Sequence, residues 1–153
     1  MKIEGIYHIG ITVNNLENTV YFYHKILGLE IVAPPGKPCA EIDDGKPVGV
    51  KSAVIRTCLL KAADDSYLEV LEYYPKSSIK KPAPMNTIGA HHISLLVDDI
   101  NKSIDSLKKN NIKFLYKPLV INSGYYKGVK WVYFKDPDGI ILELMEKPKI
   151  NKE

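Results

Sequence analysis

Four residues stand out as candidates for shared chemistry: His8, Glu69, His92 and Glu143. Imidazole nitrogens and carboxylate oxygens suit divalent ions such as Zn, Ni, Co, Mn or Fe, and a carboxylate able to leave such an ion is also a general base. Each Glu is embedded in an apolar run, Tyr67-Leu68-Glu69-Val70-Leu71 and Ile140-Ile141-Leu142-Glu143-Leu144. A carboxylate buried there without a partner is strongly destabilising, and one metal ion would serve both. Taken singly, each Glu also reads as a strand-edge side chain that faces water or pairs with a lysine.

An internal repeat makes the four more informative than any one of them. His8-Ile9-Gly10-Ile11-Thr12-Val13-Asn14-Asn15-Leu16 aligns with His92-Ile93-Ser94-Leu95-Leu96-Val97-Asp98-Asp99-Ile100, and Leu68-Glu69-Val70-Leu71-Glu72 aligns with Leu142-Glu143-Leu144-Met145-Glu146. One His and one Glu therefore come from corresponding places in each half. Glu72 and Glu146 are matched as well, but their places nearer the strand ends predict solvated side chains. His24, within a helical stretch, and His91, which has the opposite strand parity to His92, read as structural.

The elements that must position these residues follow from periodicity. Alternation at 5–13 and 90–97 predicts strands, with Ile9, Ile11 and Val13 on the side that packs beneath a helix and His8, Gly10 and Thr12 on the other. Asn14-Asn15 and Asp98-Asp99 are N-cap candidates for helices over 15–27 and 99–110, and Gly28 and Asn111 supply the permissive residue where those helices stop. Further strands are predicted at 29–33, 50–61 and 66–74, then at 112–116, 130–135 and 140–146. Asp136-Pro137-Asp138-Gly139 is a tight turn before the last of these. Each half thus reads strand, helix, three strands. The division predicted is module one 1–74, a Pro- and Lys-rich connector 75–87, module two 88–148 and a polar tail 149–153, all in a single domain of 153 residues.

Composition sets the outer bounds. With 45% hydrophobic and 25% charged residues the chain is an ordinary globular protein, neither fibrous nor disordered. The net charge of +3 comes from scattered lysines rather than a basic and aromatic stripe, which argues against nucleic acid as a partner. No apolar run approaches a membrane span, Cys39 and Cys58 lack metal-ligand spacing, and the opening MKIEGIYHIG lacks the layout of a secretion signal, so a reducing cytoplasm is expected.

The segment HIGITVNNLENTVYFYHKILGLEIV resembles the opening module of vicinal-oxygen-chelate proteins, the glyoxalase, bleomycin-resistance and dioxygenase group. GAHHISLLVDDI and FKDPDGIILELME resemble the start and end of that group's second module. The resemblance runs from about Ile6 to Glu146 and implies an α+β fold of two tandem βαβββ modules that form a cupped mixed sheet around one divalent metal ion. The family draws its ligands from the first and last strand of each module, places occupied here by His8, Glu69, His92 and Glu143. Ring-cleaving dioxygenases and fosfomycin-resistance transferases of the group characteristically use two His and one Glu. The additional Glu69 moves the likeness toward glyoxalase I and methylmalonyl-CoA epimerase.

That likeness implies a lyase or isomerase in which the metal stabilises an enediolate or enolate while Glu143 or Glu69 moves a proton on a small carbonyl or thioester substrate. It also implies a homodimer. Thr12 stands where glutathione-dependent glyoxalases commonly carry an arginine, so glutathione does not follow from the resemblance. Arg56, the chain's one arginine, is a candidate anchor for an anionic substrate or else a partner of a surface acid, and Tyr125 and Tyr126 are candidates to close over the substrate. Two other functions remain open on the residues. One is a metal-free, ligand-sequestering protein of the bleomycin-resistance kind. The other is an iron-dependent dioxygenase with Glu69 standing off the metal.

Overall fold

In the computed structural model, which describes residues 2–78 and 81–148, every structural feature of the site grows from two copies of one topology. The chain divides into the units Met1–Lys80 and Lys81–Glu153, a break that falls inside the Pro- and Lys-rich stretch. The expected polar tail, 149–153, lies outside the described residues. Among those described, no helix is long and apolar enough to cross a membrane.

Unit one contains β1 (His8–Thr12), α1 (Leu16–Tyr21), β2 (Glu30–Ala33), β3 (Cys39–Ala40), β4 (Val54–Lys61) and β5 (Tyr67–Tyr74), with sheet order β1-β5-β4-β2 and β3 paired to β4. Unit two contains β6 (His92–Leu96), α2 (Ile100–Lys109), β7 (Leu119–Val120), β8 (Lys130–Lys135) and β9 (Ile141–Glu146), in the order β6-β9-β8-β7. In both, the first strand pairs parallel to the last and the remaining pairings are antiparallel. A parallel pair needs a crossover, and the helix after the first strand supplies it.

The helices form where the sequence places their caps. The side chain of Asn15 accepts from the Asn18 N–H at 2.8 Å, and that of Asp99 accepts from Asn101 and Lys102 at 3.0 and 3.1 Å. Gly28 and Asn111 take left-handed conformations beyond the helix ends, with φ of 83° and 61°. α2 buries Ile100, Ile104 and Leu107 at helical spacing, and α1 buries Leu16, Thr19 and Val20. The first helix differs from expectation in that its last turn, Phe22–Ile26, widens into a π-helix.

The helix-side face of each sheet is apolar. Ile11, Cys58, Leu60, Leu68 and Val70 are buried in unit one, and Val132, Phe134, Leu142 and Leu144 in unit two. At about 1.5–3 kcal/mol for each fully buried large side chain, these faces dominate the stability of each module. Ile9, expected on the packed side, remains 45% exposed on the edge strand β1.

A further local feature differs from the sequence reading. The strand expected at 112–116 is reduced to a single bridge from Phe114 to Phe134, and the edge position beside β8 passes to Leu119 and Val120. The left-handed turn at Asn111 brings the chain back toward β8 for only one bridging residue before β7 pairs with β8. The loop after β3 carries a 3-10 stretch, Ile42–Val48, broken by left-handed Asp43, Asp44 and Gly45. The turn before β9 is held by Asp136, whose Oδ1 accepts from the N–H groups of Asp138 and Ile140 at 2.9 and 2.8 Å. Gly139 there has a φ of 89°, which a side chain would strain.

Candidate functional site

Parallel pairing of first and last strands is what brings each His to its Glu. Gly10 is in register with Glu69 and Ser94 with Glu143, so His8 and His92 sit two residues away on the same sheet face. The result is a His–Glu pair in each unit. His8 Nε2 stands 3.3 Å from Glu69 Oε2, and His92 Nε2 stands 3.6 Å from Glu143 Oε2. Both pairs lie on the face turned away from the helix.

The pairs differ in their surroundings. The side chain of Glu69 is 29% exposed and that of Glu143 only 10%. A Cβ built at Gly10 would lie in ordinary contact range, 4.0 Å from Glu69 Oε2 and 3.4 Å from Leu71. Ser94 occupies the matching position beside Glu143. His8 meets Tyr7 edge to face at 5.6 Å, and Tyr7 stacks on Tyr67. His92 instead meets Tyr133, a residue of β8 directly opposite Glu143.

Glu72 and Glu146 were expected in solvent, and both are buried. They lie three residues beyond the site carboxylates and so face the helix. Glu72 accepts from the Leu16 N–H at 3.4 Å, from Tyr74 Oη and Lys76 Nζ at 2.9 Å each, and from Arg56 at 3.4 Å. Glu146 accepts from the Ile100 N–H and from Lys130 Nζ, at 2.8 and 2.9 Å. Each therefore satisfies the first free N–H of its module's helix and is neutralised by a cation from the neighbouring strand. Burial disfavours the charge on Glu72, but the bonds from Lys76, Tyr74 and Leu16 outweigh it and leave the carboxyl below its usual range. The Ile100 N–H, then Lys130, lower that of Glu146.

This arrangement places Arg56 away from the Glu69 face. It is in register with Glu72, pairs with Glu72 and Glu17, and donates from Nε to the Gly36 carbonyl at 3.2 Å. Of its two expected roles, pairing with acids is the one the geometry displays. Tyr125 and Tyr126 form an edge-to-face pair at 5.0 Å in the Gly124–Gly128 turn, and Tyr125 is 95% exposed. His24 shares a 2.7 Å hydrogen bond between its Nδ1 and the Leu29 carbonyl, and His91 is exposed beside β6.

The sequence reading missed Tyr133 and Trp131. The signal was present in strand parity, since the strand opposite Glu143 must present alternate side chains beside it. Burial, and then the charge of Glu143, push the Tyr133 phenol above its usual value. Cys58, also buried, is pushed up to about 11, which makes it an inert thiol.

Within each unit, the imidazole and carboxylate are donor types that suit a borderline divalent ion. Among the described residues, no group of three or more His, Cys, Asp or Glu side chains is gathered to hold one ion. The donors stand as pairs. A family model described as Glyoxalase/Bleomycin resistance protein/Dioxygenase superfamily matches residues 5–144.

The chain belongs to this superfamily.

Its relatives include epimerases. A 2-epi-5-epi-valiolone epimerase from an Actinomyces species is 26% identical over 146 residues, covering 94% of this chain and 80% of that protein. The mitochondrial methylmalonyl-CoA epimerase of Dictyostelium discoideum is 25% identical over 142 residues, covering 92% and 76%. The crystal structure of a glyoxalase family protein from Bacillus cereus superposes with a TM-score of 0.76 and covers 97% of each chain at 19% identity, a likeness of fold. The mixed α+β architecture with one sheet per module is thus that of the superfamily.

Proposed function

We propose that this protein is a metal-dependent isomerase of the superfamily, moving a proton at a carbon next to a carbonyl or thioester group. The observation that carries the reading is the repeat-matched His–Glu pair on the face of each sheet turned away from the helix. Every other repeat-matched carboxylate is neutralised by a backbone N–H and a cation, whereas the described ion-pair partner of Glu69 and of Glu143 is an imidazole. Two such pairs, one per module, are the complement of donors that a single divalent ion takes from nitrogen and oxygen ligands.

His8, Glu69, His92 and Glu143 would hold that ion. When bound, it would draw negative charge toward the substrate's carbonyl oxygen and so make the neighbouring C–H acidic. The chain's own residues do the rest. The two histidines would anchor the ion, one of Glu69 and Glu143 would take the proton from one face of the carbon, and the other, as the protonated acid, would deliver one to the opposite face. Removing a proton from one face of a stereocentre and delivering one to the opposite face inverts it, which is an epimerisation. The epimerase relatives support this class of reaction over lyase chemistry.

The test is α-proton exchange in deuterium oxide. Protein loaded in turn with Co, Ni, Mn or Zn is incubated with methylmalonyl-CoA and with a cyclic polyhydroxy ketone, and loss of the α-proton signal is followed by NMR. The reading expects exchange with one substrate class, lost in Glu69→Gln and Glu143→Gln. Absence of exchange with both classes under every metal that binds, or exchange that survives both substitutions, overturns it.

A further inference from the structure

The two His–Glu pairs are framed differently, and the difference centres on one ring. In unit one, Leu59 lies opposite Glu69. In unit two, the corresponding place opposite Glu143 is taken by Tyr133. The ring of Tyr133 spans the last strand diagonally to meet the His92 imidazole, with centroids 5.4 Å apart and planes at 72°. Behind it, on the same strand and face, Trp131 meets Tyr133 at 5.1 Å and 65°. Edge-to-face contacts of this kind favour one mutual orientation of the rings.

From this geometry we infer that Tyr133 is a positioning residue: its ring, backed by Trp131, holds the His92 imidazole with Nε2 turned toward Glu143. An imidazole on an exposed strand face otherwise turns about χ1 and χ2, presenting either nitrogen or neither to its partner. His92 is 40% exposed and begins β6, an edge strand, so its own backbone does little to confine it. Tyr133 is half-buried and fixed from behind. It therefore supplies a wall that the imidazole can lean on. Hydrogen-bonding partners that orient a metal ligand typically change metal affinity by 10–100-fold when removed, and a packed ring is expected to act at the lower end of that range.

The functional weight of this role rests on the proposed use of His92 and Glu143 as donors, while the orientation of the ring does not. The experiment separates the two by reading His92 with and without metal. In metal-free protein, the rate at which diethyl pyrocarbonate modifies His92 is measured by mass spectrometry, with the adjacent exposed His91 as an internal reference. Zn affinity is then measured by competition with a chromophoric chelator. The variants are Tyr133→Phe, which keeps the ring, and Tyr133→Leu, which copies Leu59, with Tyr133→Met as a second ring deletion should the leucine variant fail to fold.

Ring deletion is expected to raise the His92 rate several-fold, leave that of His91 unchanged and weaken Zn about tenfold. Tyr133→Phe should restore both to the wild-type values. Unchanged His92 reactivity in a folded ring-deletion variant overturns the proposal, as does equal change at His91. If wild-type protein takes up no Zn while the reactivity pattern holds, the positioning role stands and the metal reading fails.

Discussion

Glu69 and Glu72 lie three residues apart on one strand, as do Glu143 and Glu146, yet the two members of each pair experience opposite environments. The first member faces away from the helix and is met by a histidine at 3.3 or 3.6 Å. The second faces the helix and is saturated by a backbone N–H and by lysine or arginine. A strand's twofold alternation makes this separation automatic, since an odd offset reverses the face. The lesson is that a repeat-matched carboxylate becomes a candidate for chemistry only when its charge is left for something outside the fold to satisfy. Glu72 and Glu146 finish the helices, whereas Glu69 and Glu143 face the histidines.

Substitution should reverse the two classes of effect. Glu143→Gln and Glu69→Gln are expected to lower kcat by about 10²–10⁴-fold, the usual contribution of a positioned acid or base, with the melting temperature unchanged or slightly raised. Glu72→Gln should do the opposite. It strips the charge that Arg56, Lys76 and the Leu16 N–H share, at a cost of about 2–3 kcal/mol, and leaves turnover intact below its melting temperature. Thermal denaturation of both sets alongside turnover makes the comparison, and a destabilised Glu69→Gln or an inactive, stable Glu72→Gln would break it.

Acid should reveal the same asymmetry. The carboxyls of Glu72 and Glu146 are held below their ordinary range, so their contribution is fully present above the unfolded-state value. It is lost as pH falls through the lowered folded-state values. The melting temperature of the wild type should drop steeply below about pH 4, and that of Glu72→Gln should drop less steeply over the same interval. Parallel curves would remove Glu72 from the explanation.

The smallest expected effect compares the two helices. Asn15→Ala and Asp99→Ala should each cost about 1 kcal/mol, with Asp99 the larger because it caps two N–H groups and brings a charge to the helix N-terminus. Denaturant melts measure both, and an Asn15 cost above that of Asp99 would contradict the capping geometry.

Much of this was legible in the sequence because repetition and parity are written there directly. The βαβββ order, both N-caps and the left-handed stops at Gly28 and Asn111 follow from local pattern, and the repeat singles out each His and Glu, whose shared face is then set by the parallel strand register. The fate of Glu72 and Glu146 did not, because their neutralising partners Arg56 and Lys130 belong to a neighbouring strand and are brought near only by sheet register. The missing strand at 112–116 has a similar origin. Phe114 does reach β8, but the longer pairing belongs to two residues, Leu119 and Val120, too few to show a period. Tyr133 was hidden among ten tyrosines until the register placed it opposite Glu143.

The proposed function requires a divalent ion held by His8, Glu69, His92 and Glu143. It is tested most directly by measuring bound divalent metal per chain in the wild type, in His8→Ala with Glu69→Ala, and in His92→Ala with Glu143→Ala. One ion per chain that is lost when either pair is removed is the predicted result. No ion, two ions per chain, or one ion that survives the loss of a whole pair would contradict it.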